Sequence, residues 1–368
     1  MKIGIDARPL TLTNRTGIAT YIANVLEYIH ETDDENEYYL YARGEILADF
    51  ITKPNWHRCV YPGGLSSLWM QYRLPRILRK DGISVFWGGS HVLPLGDRSI
   101  YKVLTLHDLS LYKFPHTGSR SNALMLRLTL PFSVRRADQI MCISASTMKD
   151  VNERWPMAKG RTHVTYMGTS AGTIAPDRVI PILKKWNLMD NYFLYLGTLE
   201  PRKNIQTIVK AYNAYREAGN PGYPLVLAGG LGWKYEGILA EINASPYHAD
   251  ILQTGYISSE EKTCLYQNAF CFLFPSLYEG FGIPVIEAMH YGTPVITCDN
   301  SSLPEVGGQA AWYLSNPADY NELSHLMKKI VALPEKEREW MRLASMEQSR
   351  KFSWETCARQ TLEHITQK

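Results

Sequence analysis

The sequence of 368 residues has few of the features that mark specialised classes of protein. Its six cysteines include no C-x-x-C pair, which argues against a zinc ribbon and against a thioredoxin-type redox site. Six thiols in a chain this long do not form a disulfide framework either, so a reducing compartment is expected. No stretch approaches the roughly 20 consecutive apolar residues that a membrane-spanning helix needs.

An excess of charge of one sign is also missing. Lys and Arg number 39 against 36 Asp and Glu, and this net charge of +3 argues against a nucleic-acid partner bound through bulk charge. Residues 1–176 carry 21 Lys and Arg against 15 Asp and Glu, whereas the rest carries 18 against 21. A basic half joined to an acidic half predicts two units with different partners. Asp6 and Arg8 interrupt the first apolar run, so no signal peptide is predicted and a cytoplasmic protein is expected.

Short β-rich runs alternate with helical patterns in both halves, which predicts an α/β protein with two doubly wound parallel sheets. We predict a first domain over 1–170, a linker over 171–190 and a second domain over 191–351. Ligands bind such sheets outside the carboxyl ends of the strands. The predicted strands are 2–7, 37–43, 57–61, 83–88, 102–108, 139–144, 162–167, 192–197, 223–229, 251–257, 271–276, 294–299 and 310–315.

A loop rich in glycine and acid follows the predicted strand 271–276. Glu279 and Glu287 are separated by seven residues, Gly280 and Gly282 allow close backbone approach, and Pro284 suits the first position of a helix. Backbone amides at a helix N-terminus form an anion site. The amides concerned belong to Gly280, Phe281, Gly282 and Ile283. Two carboxylates around an anion site fit the sugar, diphosphate and ribose of a nucleotide-sugar; the alternative is a cap and a first-turn acid.

A basic pair, Arg202 and Lys203, follows the predicted strand 192–197 and precedes a helix that Asn204 can cap. An arginine fork and a lysine point charge beside a helix N-terminus suit a diphosphate, and the alternative is a solvated basic turn. The sequence has no D-x-D triplet, the usual carboxylate pattern for Mg²⁺ on a nucleotide-sugar. The cations and the amide site would then offset the charge of the leaving group, and no metal is expected.

Three loops of the first half supply further candidates, of which Asp108 and Ser144 are the weaker ones. Gly17 opens a helix and allows close backbone approach to a ligand, although an ordinary capped helix start explains it equally well. His107 and Asp108 end the predicted strand 102–108, where a side chain reaches the ligand-binding edge of the sheet. Ser144 ends the predicted strand 139–144.

The segment PSLYEGFGIPVIEAMHYGTPVIT (275–297) resembles the signature of the retaining family 4 glycosyltransferases, which have the GT-B fold. The resemblance extends to 192–212 and 300–317, and it is strongest to the mannosyltransferase branch that builds bacterial surface polysaccharides. It implies two Rossmann-like domains that face a cleft, with a final helix over 352–368 packing back on the first domain. The chain departs from the family at Met167-Gly168-Thr169-Ser170 and at Gln309.

The resemblance also implies roles for the candidate residues. The second domain would bind the nucleotide-sugar, with Glu279 on hydroxyls of the donor sugar and Glu287 on the ribose. Arg202 and Lys203 would hold the diphosphate and stabilise the leaving group, and His107 would orient the donor. The family places the equivalent of Gly17 near the donor phosphates and a loop matching Ser144 near the cleft.

The expected activity is retaining transfer of mannose from GDP-mannose to a sugar hydroxyl of a lipid-linked oligosaccharide, in O-antigen synthesis. dTDP-rhamnose, UDP-glucose and UDP-N-acetylglucosamine remain alternative donors, and a nucleotide-sugar epimerase or a non-catalytic subunit of a polysaccharide synthase are alternative functions. No carboxylate stands out as a nucleophile, which favours front-face displacement. No cofactor is expected.

Two segments, 66–83 and 120–136, mix basic and large apolar side chains. Such segments can lie on an anionic membrane surface, so peripheral contact with the cytoplasmic face of the inner membrane is expected. The alternative is two ordinary amphipathic helices that cover a sheet.

Overall fold

The computed structural model describes residues 1–12, 17–63, 68–114, 120–170, 172–188 and 191–367. The chain divides into two compact units. The first comprises the described residues of Met1–Lys113, Arg120–Gly168 and Ser353–Lys368. The second comprises those of Phe114–Ser119 and Thr169–Phe352.

Each unit is built on one parallel sheet. The first sheet has seven strands in the order β3-β2-β1-β4-β5-β6-β7, and the second has six in the order β10-β9-β8-β11-β12-β13. The strands are β1 Lys2–Asp6, β2 Glu37–Ala42, β3 Trp56–Val60, β4 Val85–Gly88, β5 Tyr101–Leu106, β6 Gln139–Cys142, β7 Thr162–Val164, β8 Phe193–Leu196, β9 Leu225–Ala228, β10 Ile251–Gly255, β11 Cys271–Phe274, β12 Val295–Cys298 and β13 Ala311–Leu314.

Helices connect the strands and cover the sheets. Among the described residues they are α1 Gly17–Thr32, α2 Leu74–Lys80, α3 Ser110–Lys113, α4 Arg120–Arg136, α5 Ala145–Arg154, α6 Pro176–Lys185, α7 Ile205–Glu217, α8 Glu236–Ala244, α9 Ser259–Asn268, α10 Ile283–His290, α11 Leu303–Gly307, α12 Tyr320–Val331, α13 Glu335–Ser349 and α14 Trp354–Thr366. None of these helices combines the length and the apolar character that crossing a membrane requires.

The thirteen predicted strands are all present, and the prediction of two doubly wound parallel sheets is confirmed. The central strands of both sheets are apolar runs without alternation, because helices cover both of their faces. Four strands are buried at every position: β4, β9, β11 and β12. Most strands end earlier than predicted. The strand β5 ends at Leu106, so His107 and Asp108 lie in the loop beyond the sheet.

The C-terminal helix α14 belongs to the first unit, where it packs on α1. The ring of Trp354 lies 6.1 Å from the ring of Tyr21. The backbone of Ser353 and Trp354 approaches Gly168 so closely that a β-carbon there would clash. Gly168 therefore lets the last helix return to the first sheet.

The predicted linker 171–190 contains a helix, which the prediction missed. Pro176 occupies the first turn of α6, and Ile182 and Leu183 are buried. Two ion pairs join α6 to α9: Arg178 with Glu260 and Lys185 with Glu261. The described residues of this segment therefore belong to the second unit.

Candidate functional site

Two loops of the second unit bring Arg202, Lys203 and Glu279 together. The strands β8 and β11 are neighbours in the parallel sheet, so the chain leaves both at the same edge. Residues 197–204 follow β8 and residues 275–282 follow β11, and the backbone N–H of Leu277 donates to the carbonyl of Arg202 over 2.9 Å. The two segments selected from the sequence therefore form one site.

The carboxylate of Glu279 lies at the centre of this site, which we call the carboxylate–cation cluster (Arg202, Lys203, Glu279). Its Oε1 lies 2.6 Å from Lys203 Nζ and accepts a hydrogen bond of 2.5 Å from Ser276 Oγ, and its Oε2 lies 3.1 Å from Arg202 Nη1. Burial raises the pKa of Glu279, but the charges of Lys203 and Arg202 outweigh burial and lower the pKa to about 2. The carboxylate is therefore ionised at physiological pH.

Further contacts fix the guanidinium of Arg202. Its Nη2 lies 2.7 Å from Glu200 Oε1, and its Nη1 donates to the carbonyl of Tyr278 over 2.7 Å. Two carboxylates thus hold two cations in place before any ligand binds. Positive charge positioned in advance stabilises negative charge that develops on a substrate without reorganising at that moment.

The loop after Glu279 is anchored by two serines. Ser302 Oγ lies within hydrogen-bonding distance of the carbonyls of Glu279, at 3.0 Å, and Phe281, at 2.7 Å, and the backbone N–H of Glu279 donates to Ser301 Oγ over 3.0 Å. Gly282 precedes α10 with a φ of 108°, a conformation that strongly favours glycine.

The helix α10 begins at Ile283, so Pro284 lies at the second helical position and the prediction of the first was wrong by one residue. Proline is tolerated there because the first amides of a helix have no partner within it. The anion site at the amides of residues 280–283 stays a prediction.

Glu287 lies on α10 and has a different set of partners. Its Oε1 lies 2.5 Å from Lys262 Nζ, and its Oε2 accepts a hydrogen bond of 3.2 Å from the hydroxyl of Tyr266. Burial and the charge of Glu287 raise the pKa of Tyr266 well above its usual value, so this hydroxyl stays protonated. The structure therefore pairs Glu287 with α9 rather than with the cations of the carboxylate–cation cluster.

Asn204 precedes α7, as predicted, but its side chain does not cap the helix. Its Nδ2 donates to the carbonyls of Pro275, at 3.1 Å, and Pro317, at 2.6 Å, and its Oδ1 accepts from Thr207 Oγ1. The residue adopts a left-handed φ of 59°, which asparagine tolerates better than most residues. Asn204 thus ties the two site loops to the end of β13.

In the first unit, His107 is buried beyond the end of β5. Its Nε2 forms a hydrogen bond of 2.8 Å with the carbonyl of Gly89, and its ring packs against the edge of Tyr21, with 4.9 Å between centroids. Burial and the neighbouring His91 lower the pKa of His107 to about 3, so the ring is neutral at physiological pH. A carbonyl only accepts, so Nε2 carries the proton and Nδ1 is a hydrogen-bond acceptor.

His91, which no sequence pattern indicated, has its ring centroid 5.2 Å from that of His107. It is 9% exposed and has a φ of 67°, and its Nδ1 has no partner within the part of the chain that the structure describes. Gly88 permits this turn, because a β-carbon there would lie 2.6 Å from the carbonyl oxygen of Val92. The pair Gly88-Gly89 at the end of a buried strand was the signal in the sequence that could have indicated His91.

The weaker candidates Asp108 and Ser144 have structural partners, whereas Gly17 lies in open space. Asp108 Oδ1 accepts hydrogen bonds from the backbone and the hydroxyl of Ser110 at the start of α3. Ser144 caps α5 by accepting from the backbone N–H of Thr147 over 3.0 Å. Gly17 is exposed at the start of α1, with no atom within 4 Å of where a β-carbon would lie, and the Thr16 that precedes it lies outside the described residues.

Two family models match the chain, one in each half. Residues 15–171 match the model described as "Glycosyltransferase Family 4", and residues 181–345 match "Glycosyl transferases group 1". Solved structures share the fold across the whole chain. Sucrose-phosphate synthase from Thermosynechococcus elongatus is 20% identical and covers 100% of this chain and 98% of its own, with a TM-score of 0.75. WaaG, a glycosyltransferase of lipopolysaccharide biosynthesis, is 13% identical, covers 100% of both chains and has a TM-score of 0.72. The chain belongs to the glycosyltransferases of the GT-B fold.

The chain is also similar in sequence to bacterial mannosyltransferases. The O-antigen chain mannosyltransferase B of Escherichia coli is 28% identical over 98% of this chain and 94% of its own length. The serotype-specific mannosyltransferase WbdA of Escherichia coli is 32% identical over 63% of this chain, which corresponds to only 29% of that longer protein.

Proposed function

We propose that the protein is a retaining mannosyltransferase that transfers mannose from GDP-mannose to a sugar hydroxyl of a lipid-linked oligosaccharide in O-antigen synthesis. The observation that carries the proposal is the carboxylate–cation cluster at the carboxyl edge of the second sheet. Its two cations match the charge of a diphosphate, and its carboxylate offers lone pairs to sugar hydroxyls. The mannosyltransferase names of the relatives support the choice of sugar.

The cluster accounts for leaving-group stabilisation without a metal ion. As the bond from the anomeric carbon to phosphate breaks, negative charge develops on the diphosphate, and Arg202 and Lys203 stabilise it. The amides of residues 280–283 would add to this effect at the N-terminus of α10. We therefore propose metal-independent transfer, with Glu287 on the ribose and Gly17 near the phosphates.

Front-face displacement fits the chemistry of these side chains. Glu279 has two ion pairs and a pKa of about 2, so it is a weak nucleophile. In this route the departing phosphate oxygen accepts the proton of the acceptor hydroxyl. The new bond to the anomeric carbon forms on the face that the phosphate leaves, and the products are GDP and a glycoside of retained configuration. The neutral His107 would accept a hydrogen bond from a donor hydroxyl.

Other donors follow the same chemistry. HepE from Anabaena, a solved structure of the same fold that is 14% identical to this chain, is in complex with UDP-glucose. A UDP-sugar or dTDP-rhamnose would use the same diphosphate contacts, whereas an epimerase would need an acid and a base near C2 of the sugar. A non-catalytic subunit would not need the paired cations.

A thermal-shift panel of nucleotide-sugars tests the donor. We expect GDP-mannose at 100 times its dissociation constant to add roughly 2.7 kcal/mol to the free energy of unfolding. The same panel with the Glu279→Gln variant serves as the control, and its shift should be smaller. A shift with a UDP- or dTDP-sugar but none with GDP-mannose would contradict the mannosyl assignment.

A further inference from the structure

His91 is held in an unfavourable state just beyond the end of β4. Its φ of 67° lies in the left-handed region, which residues with a β-carbon adopt rarely and at a cost in stability. The side chain is buried, and its Nδ1 has no hydrogen-bond partner among the residues that the structure describes. A buried polar atom without a partner is a second cost. Because both features lower stability, the reason for a histidine at this position lies outside the fold itself.

The surrounding segment holds His91 in place before any ligand binds. Its backbone N–H donates to the carbonyl of Thr105 over 3.2 Å, which ties the residue to β5. The residue before it is also fixed, because Ser90 Oγ donates to Asp6 Oδ2 over 2.7 Å. The imidazole ring packs against the edge of the ring of His107. The unpartnered Nδ1 therefore belongs to a side chain whose backbone and ring are both positioned.

The polar groups at this edge of the first sheet carry little net charge. The strands β1, β4 and β5 are neighbours in the parallel sheet, so Asp6, His91 and His107 all lie at its carboxyl edge. Arg8 neutralises Asp6 through two contacts of 2.8 Å. Burial lowers the pKa of His91, although Asp108 opposes the shift, and it lowers the pKa of His107 to about 3. Both rings are thus neutral at physiological pH.

A neutral imidazole has one N–H donor and one lone pair. It therefore matches a hydroxyl group, which both donates and accepts, better than it matches a phosphate. The diphosphate of a nucleotide-sugar needs cations, and the carboxylate–cation cluster of the second unit supplies them. The neutral surroundings of His91 fit the uncharged sugar of the acceptor instead.

We propose that His91 binds a hydroxyl of the acceptor sugar through Nδ1 and thereby determines which acceptors are used. The inference rests on the proposed function, in which a sugar hydroxyl attacks the donor. His107 and His91, whose ring centroids are 5.2 Å apart, would contact the donor and the acceptor side by side. A site built to bind a hydroxyl rejects analogues that lack it, because the buried partner is then left unpaired.

Steady-state kinetics of His91→Gly with varied acceptor test the proposal. Glycine adopts a φ of 67° without strain and buries no polar atom, so Tm should be no lower than that of the wild type. Loss of one hydrogen bond should lower kcat/KM for the acceptor about 10-fold. The KM for the donor and the thermal shift that the donor causes should not change.

His91→Asn should retain most of the kcat/KM for the acceptor. Asparagine tolerates a left-handed backbone, and its Oδ1 lies where Nδ1 of histidine lies. Asn187→Gly is the matched control, because Asn187 also has a left-handed φ, of 52°, and belongs to the second unit. This variant should keep the kinetic constants of the wild type for both substrates.

Nuclear magnetic resonance of protein labelled with ¹⁵N-histidine tests the contact without turnover. The signals of His91, one of ten histidines, are assigned by their absence from the spectrum of His91→Gly. We expect methyl α-mannoside to shift the Nδ1 signal of His91 saturably and to leave that of His57, on the edge strand β3, unchanged. An unchanged Nδ1 signal of His91 would overturn the proposal, whether or not the protein transfers mannose.

The kinetic outcomes separate this proposal from the proposed function. A wild type that transfers no sugar from any donor would contradict the proposed function, and the resonance experiment would still decide the role of His91. Normal transfer by the wild type with an unchanged acceptor kcat/KM in His91→Gly would overturn the proposal alone. Equal changes in the donor and acceptor constants would also overturn it, because they would show that His91 acts only by positioning His107. A lower Tm with equal losses for both substrates would indicate a structural role and contradict the proposal too.

Discussion

Replacing Glu279 by Gln lowers the rate of sugar transfer about 100- to 1,000-fold, the effect expected when one positioned electrostatic contact of a transition state is lost. The amide keeps the shape of the side chain but removes the charge that aligns Lys203 and Arg202. It also weakens the hydrogen bonds that a carboxylate accepts from sugar hydroxyls. Initial rates of transfer from saturating donor measure the effect directly.

The stability of the same variant separates a structural from a catalytic effect. We expect Glu279→Gln to lower the free energy of unfolding at pH 7 by about 1–3 kcal/mol, because a buried cation loses a charged partner. The folded-state pKa of Glu279 is about 2, below its usual value of 4.5. The stabilisation is therefore fully present above about pH 4.5 and is lost as the pH falls towards 2. The difference in the free energy of unfolding between the wild type and Glu279→Gln should therefore become smaller as the pH falls from 4.5 towards 2.

Glu261→Gln is the matched control. Glu261 lies in the same unit, forms an ion pair of 2.6 Å with Lys185, and its side chain accepts a hydrogen bond of 2.7 Å from the backbone N–H of Ser258 at the start of α9. Its replacement should lower stability modestly and leave the transfer rate unchanged. Equal losses of activity in both variants would show that general destabilisation, rather than the carboxylate–cation cluster, explains the effect.

Replacing Lys203 by Met lowers kcat/KM for the donor about 100-fold, as expected when one positioned charge that stabilises the leaving group is lost. The side chain is 12% exposed, and its ammonium lies 2.6 Å from Glu279, so methionine fills similar space without the charge. Loss of the charge weakens the binding of the donor diphosphate in the ground state, so KM rises. It weakens the stabilisation of the transition state more strongly, so kcat falls. Steady-state kinetics over a range of donor concentrations separate the two constants.

Lys210→Met provides the comparison for Lys203. Lys210 lies on α7 seven residues further on, is half exposed and is 3.7 Å from Glu241. This variant should keep the kinetic constants of the wild type. Lys203 and Glu279 contact each other, so the double variant Lys203→Met/Glu279→Gln should lose less than the two single losses combined. Strict additivity would mean that the two side chains act on the donor independently.

The sequence predicted the fold well because buried parallel strands have a strong and simple pattern. The strands β11 and β12 consist mostly of apolar residues and are buried at every position, and neither is an edge strand of the second sheet. The ends of strands were harder to predict. His107 and Asp108 directly follow a β-rich run in the sequence, but the strand ends at Leu106, and the side chain of His107 contacts the carbonyl of Gly89 beyond the end of the strand.

The residues of the site could be predicted from the sequence, but their ion-pair partners could not. The sequence identified Arg202, Lys203 and Glu279 in separate segments, and sheet topology alone brings the segments together. The sequence did not indicate that Glu279 neutralises both cations, or that Glu287 pairs with Lys262 on a different helix. These pairings depend on distances between elements that are far apart in the chain.

Two errors have local physical reasons. The predicted cap at Asn204 assumed a side chain that turns back on its own helix, whereas a left-handed backbone directs it to Pro275 and Pro317. The prediction of a linker over 171–190 missed α6 because two prolines, Pro176 and Pro181, interrupt the helical pattern in the sequence. One of them, Pro176, begins the helix and favours it.

Nuclear magnetic resonance of the first-formed product tests the central claim most directly. GDP-mannose has the α configuration at the anomeric carbon of its mannose. Retaining transfer therefore predicts that the anomeric signal of an α-mannoside appears first, together with the signals of free GDP. The wild type should give this product, and Glu279→Gln should give almost none. A β-mannoside would contradict retention, and an unchanged GDP-mannose signal in the presence of acceptor would contradict the proposed activity.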